Sequence, residues 1–344
     1  MPTPPRFRIL PKLLMMSSDR EPQTTKVFFR EAIARALREE MRRDETIIVL
    51  GQDVGAFGGS YKEFMGLHKE FGKMRVWNTP VAEAAMIGLG VGAAASGMRP
   101  IVSITYMDFL MLGLDPLVNY AAKARYKTGG QLRVPLIVKV TAGAKGQGVA
   151  HSQCLESWLM AVPGLKVVAP STPADAYGLL KSALQEDGPI VYIDHKRLFQ
   201  TPGHVPAEEY VTPLGQACVR RTGTDLTIVT HSYMTSVALD AADRLAKHGI
   251  SCEIIDLRTL MPLDMPTICA SVVRTRALLT VEEGQATCGV GAEVAFRVRE
   301  AVGSVLVGRL GALPAPVSSN PILETACIPD AKRVISATRQ LLAV

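Results

Sequence analysis

Glu83 and His151 are the two residues whose type and setting point most directly to acid–base chemistry. Glu83 is the only acid between Glu70 and Asp108, and it opens a run of small and apolar residues, 84–97, that is expected to be buried. A carboxylate at the mouth of such a run is costly without a partner. It therefore either caps its own helix through nearby backbone N–H groups or serves a ligand whose chemistry needs an acid there. His151 follows a glycine-rich loop, 143–148, and precedes a predicted helix. That setting either projects the imidazole into a cleft or packs it on the surface. Cys154 lies three residues further on, but the largely apolar helix after it is expected to keep the thiol neutral, which argues against a cysteine nucleophile.

Other motifs are excluded by their context. Gly88-Leu89-Gly90-Val91-Gly92 lies inside a helix-like run and lacks the spacing of a dinucleotide fingerprint. The loop 143–148 contains a lysine but no Gly-Lys-Ser/Thr, so it is not a P-loop. The six cysteines, Cys154, Cys218, Cys252, Cys269, Cys288 and Cys327, form no CxxC pair. A zinc site is not expected, and the scatter suits reduced thiols in a reducing compartment.

These residues must be positioned by alternating strands and helices. Strands are predicted at 46–50, 76–78, 101–106, 135–140, 166–169 and 190–193. Helices are predicted from a Thr24 or Thr25 cap to residue 43, over 84–96 and 109–125, and onward from Pro173, a favoured first helical position. The alternation predicts a mainly parallel sheet. Residues 200–213 carry Pro202, Gly203, Pro206 and Pro213 and read as a linker. A second, smaller α/β unit is expected over 214–344, with strands at 226–229, 252–255 and 278–281 and helices at 235–247, 265–274, 290–301 and 330–342. The first domain then spans 24–199, after an extension over 1–23.

With 344 residues, two domains are the natural reading. Hydrophobic residues make up 48% and charged residues 20%, which excludes a disordered chain. The net charge of +6 owes much to Arg6, Arg8, Lys12, Arg20, Lys26 and Arg30, which face only Asp19 and Glu21. That pattern is a solvated basic tail or a transit segment rather than a nucleic-acid surface. The apolar run 84–98 is too short to span a membrane, which takes about 20 residues.

Several stretches carry a family resemblance. They are Val49-Leu50-Gly51-Gln52-Asp53-Val54, Asn78-Thr79-Pro80-Val81-Ala82-Glu83, Gly97-Met98-Arg99-Pro100, Gly129-Gly130-Gln131, His151-Ser152-Gln153-Cys154, Pro163-Gly164-Leu165-Lys166, Ile255-Asp256-Leu257-Arg258 and Glu282-Glu283-Gly284. From about residue 24 to its end, the chain resembles the beta subunit of the thiamine-diphosphate-dependent decarboxylase component of 2-oxo acid dehydrogenase complexes. The resemblance implies a pyrimidine-binding α/β domain followed by a transketolase C-terminal-like α/β domain. It also implies that the Glu83 carboxyl hydrogen-bonds the cofactor's aminopyrimidine and activates it. Phe109 would stack on that ring, with Val81, Thr105 and Leu112 lining the same wall, and His151 would assist proton transfer. The family's Gly-Asp-Gly motif for Mg²⁺ and diphosphate is absent, which implies an alpha subunit carrying it in an α2β2 heterotetramer, with a lipoyl acyltransferase core as the further partner. A potassium ion would sit on the carbonyls of Ala183 and Leu184 and the side chain of Glu186. The implied location is the bacterial cytoplasm, or a mitochondrion or plastid if the extension is a transit peptide.

The chain departs from the family at Gln52, across Thr105-Tyr106-Met107-Asp108-Phe109, at Leu112, and in the loop 141–148. These departures leave open which 2-oxo acid or acyloin is the substrate. They also leave open a two-component thiamine-dependent acyl or ketol transferase outside a dehydrogenase complex, and a non-catalytic scaffold for an alpha partner.

Overall fold

The computed structural model describes residues 23–344; the expected extension lies almost wholly outside them. The strands in chain order are β1 (Thr24–Phe28), β2 (Ile47–Gly51), β3 (Val76–Asn78), β4 (Arg99–Ile104), β5 (Ile137–Ala142), β6 (Lys166–Val168) and β7 (Ile190–His195). There follow β8 (Pro202–Pro206), β9 (Cys218–Arg221), β10 (Leu226–Thr230), β11 (Cys252–Asp256), β12 (Thr259–Met261), β13 (Ala277–Gln285) and β14 (Leu306–Ala312). A seven-stranded sheet runs in the order β12-β6-β7-β5-β4-β2-β3, and a five-stranded sheet in the order β14-β13-β10-β11-β9. Within each, the neighbours are parallel except at one edge, where β12 and β9 run antiparallel to theirs. Every residue of β2, β5, β7, β10 and β11 is buried, as strands covered on both faces require.

One face of the larger sheet is covered by the helices Phe29–Arg43 and Pro173–Leu184, which bring Phe29, Ile33, Leu37, Tyr177 and Leu180 into a single cluster. Thr172 caps the second of these by accepting the Asp175 N–H, and Pro173 takes its first position. The cluster on the opposite face runs from Met86 and Ile87 through Val138 into Ile255, Leu260, Met265 and Val294 of the second domain. The two domains thus share a core. Beneath the sheet, Lys139 forms a buried ion cluster: its Nζ lies 3.2 Å from Glu63 Oε1 and pairs closely with Asp194. All three side chains are essentially inaccessible.

Three sequence expectations change. Thr24 and Thr25 cap no helix; they lie in β1, which pairs antiparallel with β8 inside the stretch expected to be a linker. The helix starts at Phe29 because Glu31, in its first turn, accepts the Phe28 N–H at 2.9 Å. The single helix expected over 109–125 is broken into Met107–Leu110, a 3₁₀ turn at Met111–Gly113, a wide π turn at Asp115–Ala121, and Ala122–Lys127. Pro116, which has no N–H to give, sits at the start of the π turn. The helix Glu83–Ala95 is not buried all round: Met86, Ile87, Gly90 and Ala94 are covered, whereas Ala84, Ala85 and Leu89 face outward, Leu89 being 46% exposed. A side chain added at Gly88 or Gly92 would meet nothing within 4 Å. The apolar run therefore exceeds what this chain alone covers. Among the described residues, no helix is long and apolar enough to cross a membrane.

Candidate active site

The carboxyl ends of β2, β3 and β4 define the site. The chain leaves β2 for β3 on one side, then returns through the helix Glu83–Ala95 to β4 on the other. Such a reversal opens a crevice at the strand ends. Glu83 is the first residue of that helix and is only 9% exposed. The helix N-terminus favours its negative charge. Its carboxylate makes no hydrogen bond or ion pair to another described residue, so the capping alternative is not realised and, of the two, a ligand role is left.

The segment after β4 lies directly on the first turn of this helix. A Cβ at Gly113 would stand 2.4 Å from Ile87 Cδ1 and 3.2 Å from the Glu83 carbonyl oxygen, so any side chain there would have to displace Ile87 and crowd the helix's first turn. Phe109 lies one turn before Gly113. Its ring meets His151 edge-on with centroids 5.3 Å apart, and Tyr106 meets His151 in the same way at 4.7 Å. Val81 and Leu112 leave their side chains 63% and 61% exposed on the open side, and Thr105 is half-buried at the end of β4. The fold thus joins Phe109 to His151 by direct contact. Glu83 joins them through the backbone packing at Gly113.

Family models match both halves of the chain: the transketolase pyrimidine-binding domain over residues 25–202 and the transketolase C-terminal domain over 215–334. The chain is 41% identical over 332 residues to the mitochondrial pyruvate dehydrogenase E1 component subunit beta of Ascaris suum, covering 93% of this chain and 91% of that one. It is 40% identical to the corresponding subunit of Porphyra purpurea, covering 92% and 97%. The chain belongs to the E1 beta-subunit family of 2-oxo acid dehydrogenases. A solved split-gene transketolase, described as an inactive beta4 tetramer, shares the fold with a TM-score of 0.77 at 24% identity, over 92% of this chain and 99% of that chain.

Around this E1 beta framework the structure adds residues that sequence reasoning passed over. Asp108 is buried; its Oδ1 accepts from the backbone N–H and the side-chain amide of Gln153, at 3.2 and 2.9 Å, while Oδ2 has no partner. Lys196 is also buried. Its ammonium donates to the His151 carbonyl and lies 4.6 Å from the centre of the Tyr106 ring. Burial pulls its pKa down to about 8. Tyr106 and Asp108 fall within the stretch already noted as departing from the family, and Glu283 belongs to a quoted marker, so both signals were present without a role attached.

Cys154, His195 and Glu283 bring their ligand atoms within 4.8 Å of one another. Hydrogen bonding already occupies this group. The Arg197 N–H donates to His195 Nδ1 at 3.1 Å, so the proton resides on Nε2, which donates to Glu283 at 2.9 Å. Burial pushes the Cys154 thiol well above its ordinary range, which keeps it protonated and unreactive. The expected potassium oxygens are engaged as well. Arg99 donates to the carbonyls of Leu184 and Glu186 at 3.0 and 2.9 Å, the Glu186 N–H donates to the Ala183 carbonyl, and Lys166 pairs with the Glu186 carboxylate at 2.6 Å. Protein donors thus stand on the atoms that were expected to hold the ion.

Gly143 starts the His151 loop with φ +90°, and a Cβ there would fall 1.8 Å from His195 Nε2. Gly143→Ala is expected to cost about 2–4 kcal/mol from backbone strain and overpacking. Urea denaturation checks this; an unchanged midpoint would mean that the loop moves aside freely.

Proposed function

We propose that this chain is the beta half of a thiamine-diphosphate-dependent E1 enzyme that decarboxylates pyruvate and passes the acyl group to a lipoyl group on an acyltransferase core. The observation that carries the reading is a buried carboxylate, Glu83, without a partner among the described residues, on the first turn of the helix that follows β3. A ring nitrogen of an aminopyrimidine is the kind of partner it lacks, and the aromatic face of Phe109 suits a flat heterocycle beside it. When bound, thiamine diphosphate supplies the carbon nucleophile and electron sink for loss of CO₂. The chain's own residues hold and shape that site. Glu83 keeps a proton at the ring nitrogen, and Phe109 fixes the ring plane. Val81, Thr105 and Leu112 line the wall, and His151 moves a proton at the substrate. The relatives named above support pyruvate as the substrate.

No Gly-Asp-Gly motif is present to hold Mg²⁺ and diphosphate. Those groups belong on an alpha subunit in an α2β2 assembly, and the outward apolar face of the helix Glu83–Ala95 is a surface such a partner would cover. The assembly would work in a bacterial cytoplasm, or in an organelle if residues 1–22 direct it there. Calorimetry tests the split site: this chain alone should bind thiamine diphosphate and Mg²⁺ at least ~10³-fold more weakly than the assembly, about 4 kcal/mol. Equally tight binding without the alpha subunit would end the split-site reading.

A further inference from the structure

The loop that carries His151 buries little side chain of its own; within the first domain it has the Lys196 contact to the His151 carbonyl, a Gln147 hydrogen bond to Tyr106 and the turn bond from the His151 N–H to the Gly148 carbonyl. Gly143, Gly146 and Gly148 all have positive φ, between 74° and 90°, and of the side chains between them only Ala144 is buried. Yet the loop is fixed by backbone hydrogen bonds to the second domain. The Ala144 N–H donates to Glu283 Oε1 at 2.7 Å, and the Gly146 N–H donates to Glu324 Oε2 at 2.5 Å. Each carboxylate uses its other oxygen on the end of β7 and the residues just beyond. Glu283 Oε2 accepts from His195, and Glu324 Oε1 accepts from Arg197 at 2.6 Å. Arg197 closes the arrangement by donating to the Ala144 carbonyl at 2.8 Å. Burial favours the protonated form of Glu283, but His195, the Ala144 N–H and Arg197 outweigh it and hold the group below its ordinary range. Ala144 and Glu283 are both buried, so an Ala144 N–H that loses its acceptor has no water to replace it, whereas the Gly146 bridge to Glu324 is part-buried.

We infer that Glu283 and Glu324 are positioning residues: through two alternate backbone N–H groups, the C-terminal domain holds the His151 loop in its working geometry. The inference rests on the reading of His151 as the proton-transferring residue. A shift of about 1 Å in such a group costs about 10²-fold in rate. Replacing the carboxylate by an amide keeps one acceptor oxygen and turns the other into a donor, so one of the two bridges must fail in each variant.

The test uses the assembled enzyme with Glu283→Gln, Glu324→Gln and Glu324→Asp, each also combined with His151→Ala. Hydrogen exchange of residues 143–151 should quicken at least ~10-fold in both glutamine variants, with β10 and β11 unchanged. Turnover should fall about 10–100-fold while KM and cofactor affinity stay within about threefold. Glu324→Asp should recover part of the loss, and His151→Ala should mask the glutamine effects rather than add to them. Unchanged loop exchange, or losses that multiply with His151→Ala, would overturn the inference. Wild-type turnover in His151→Ala alone would instead remove the role given to His151, and loop exchange would still decide whether the two glutamates hold the segment.

Discussion

Glu83→Gln in the assembled enzyme is expected to lower turnover by about 10²–10⁴-fold and to leave assembly and folding intact. The side chain has no partner among the described residues, so the substitution breaks no hydrogen bond or ion pair seen there. What the fold loses is a negative charge at a helix N-terminus, worth about 0.3–1 kcal/mol. Glutamine matches the shape of glutamate and can still meet a ring nitrogen, but it cannot hold and release a proton there. Turnover and stability should therefore separate sharply. Steady-state kinetics, thermal denaturation and size-exclusion chromatography of the variant with its alpha subunit decide the matter. Near-wild-type turnover would show that Glu83 is not the activating acid.

The second large effect concerns stability. Lys139→Met is expected to destabilise the chain by about 3–5 kcal/mol at neutral pH, because it leaves Glu63 and Asp194 buried without their cation. The penalty should depend on pH in a definite direction. Burial already raises the Asp194 pKa to about 6, with Lys139 pulling it back down. Without Lys139 the folded-state pKa must rise further. A carboxyl whose folded pKa lies above its unfolded value contributes stability that is complete below the unfolded pKa and is lost as pH rises through the folded one. The gap between variant and wild type should therefore be widest near pH 8 and narrow as pH falls toward about 6, below which Asp194 is protonated in both folded forms. Urea denaturation at both pH values measures it. A gap under about 1 kcal/mol, or one that ignores pH, would mean that the cluster is hydrated or rearranges.

The central strands were legible because parallel strands announce themselves as short apolar runs. Val76–Asn78 was read at its observed bounds, Ile47–Gly51 within a residue of its bounds, and the helix Pro173–Leu184 at its observed start. The strands β1, β8, β9, β12 and β14 were missed because they lie at edges: most of the residues of β1, β9 and β14 are partly or fully exposed, and β8 is broken up by prolines and glycine. At the site, Glu83 and His151 stood out as isolated polar groups in apolar or glycine-rich settings. Glu283 and Glu324 did not, since what they bind is backbone N–H of a loop more than 100 residues away, a pairing that no local pattern encodes. Lys196 was hidden for the same reason. In sequence it is one cation among several, and only the fold lays it against the His151 carbonyl.

The short strand β12 belongs by sequence to the second domain but completes the edge of the first domain's sheet, against β6. Without it, β6 would present a row of unpaired N–H and C=O groups, a ready template for another chain. The pyrimidine-binding half is thus guarded against self-association by its neighbour. If it were expressed without the residues beyond 213, it should form aggregates that grow through that bare edge. An evolutionary or genetic split of this chain between its two halves would have to invent a new guard for β6.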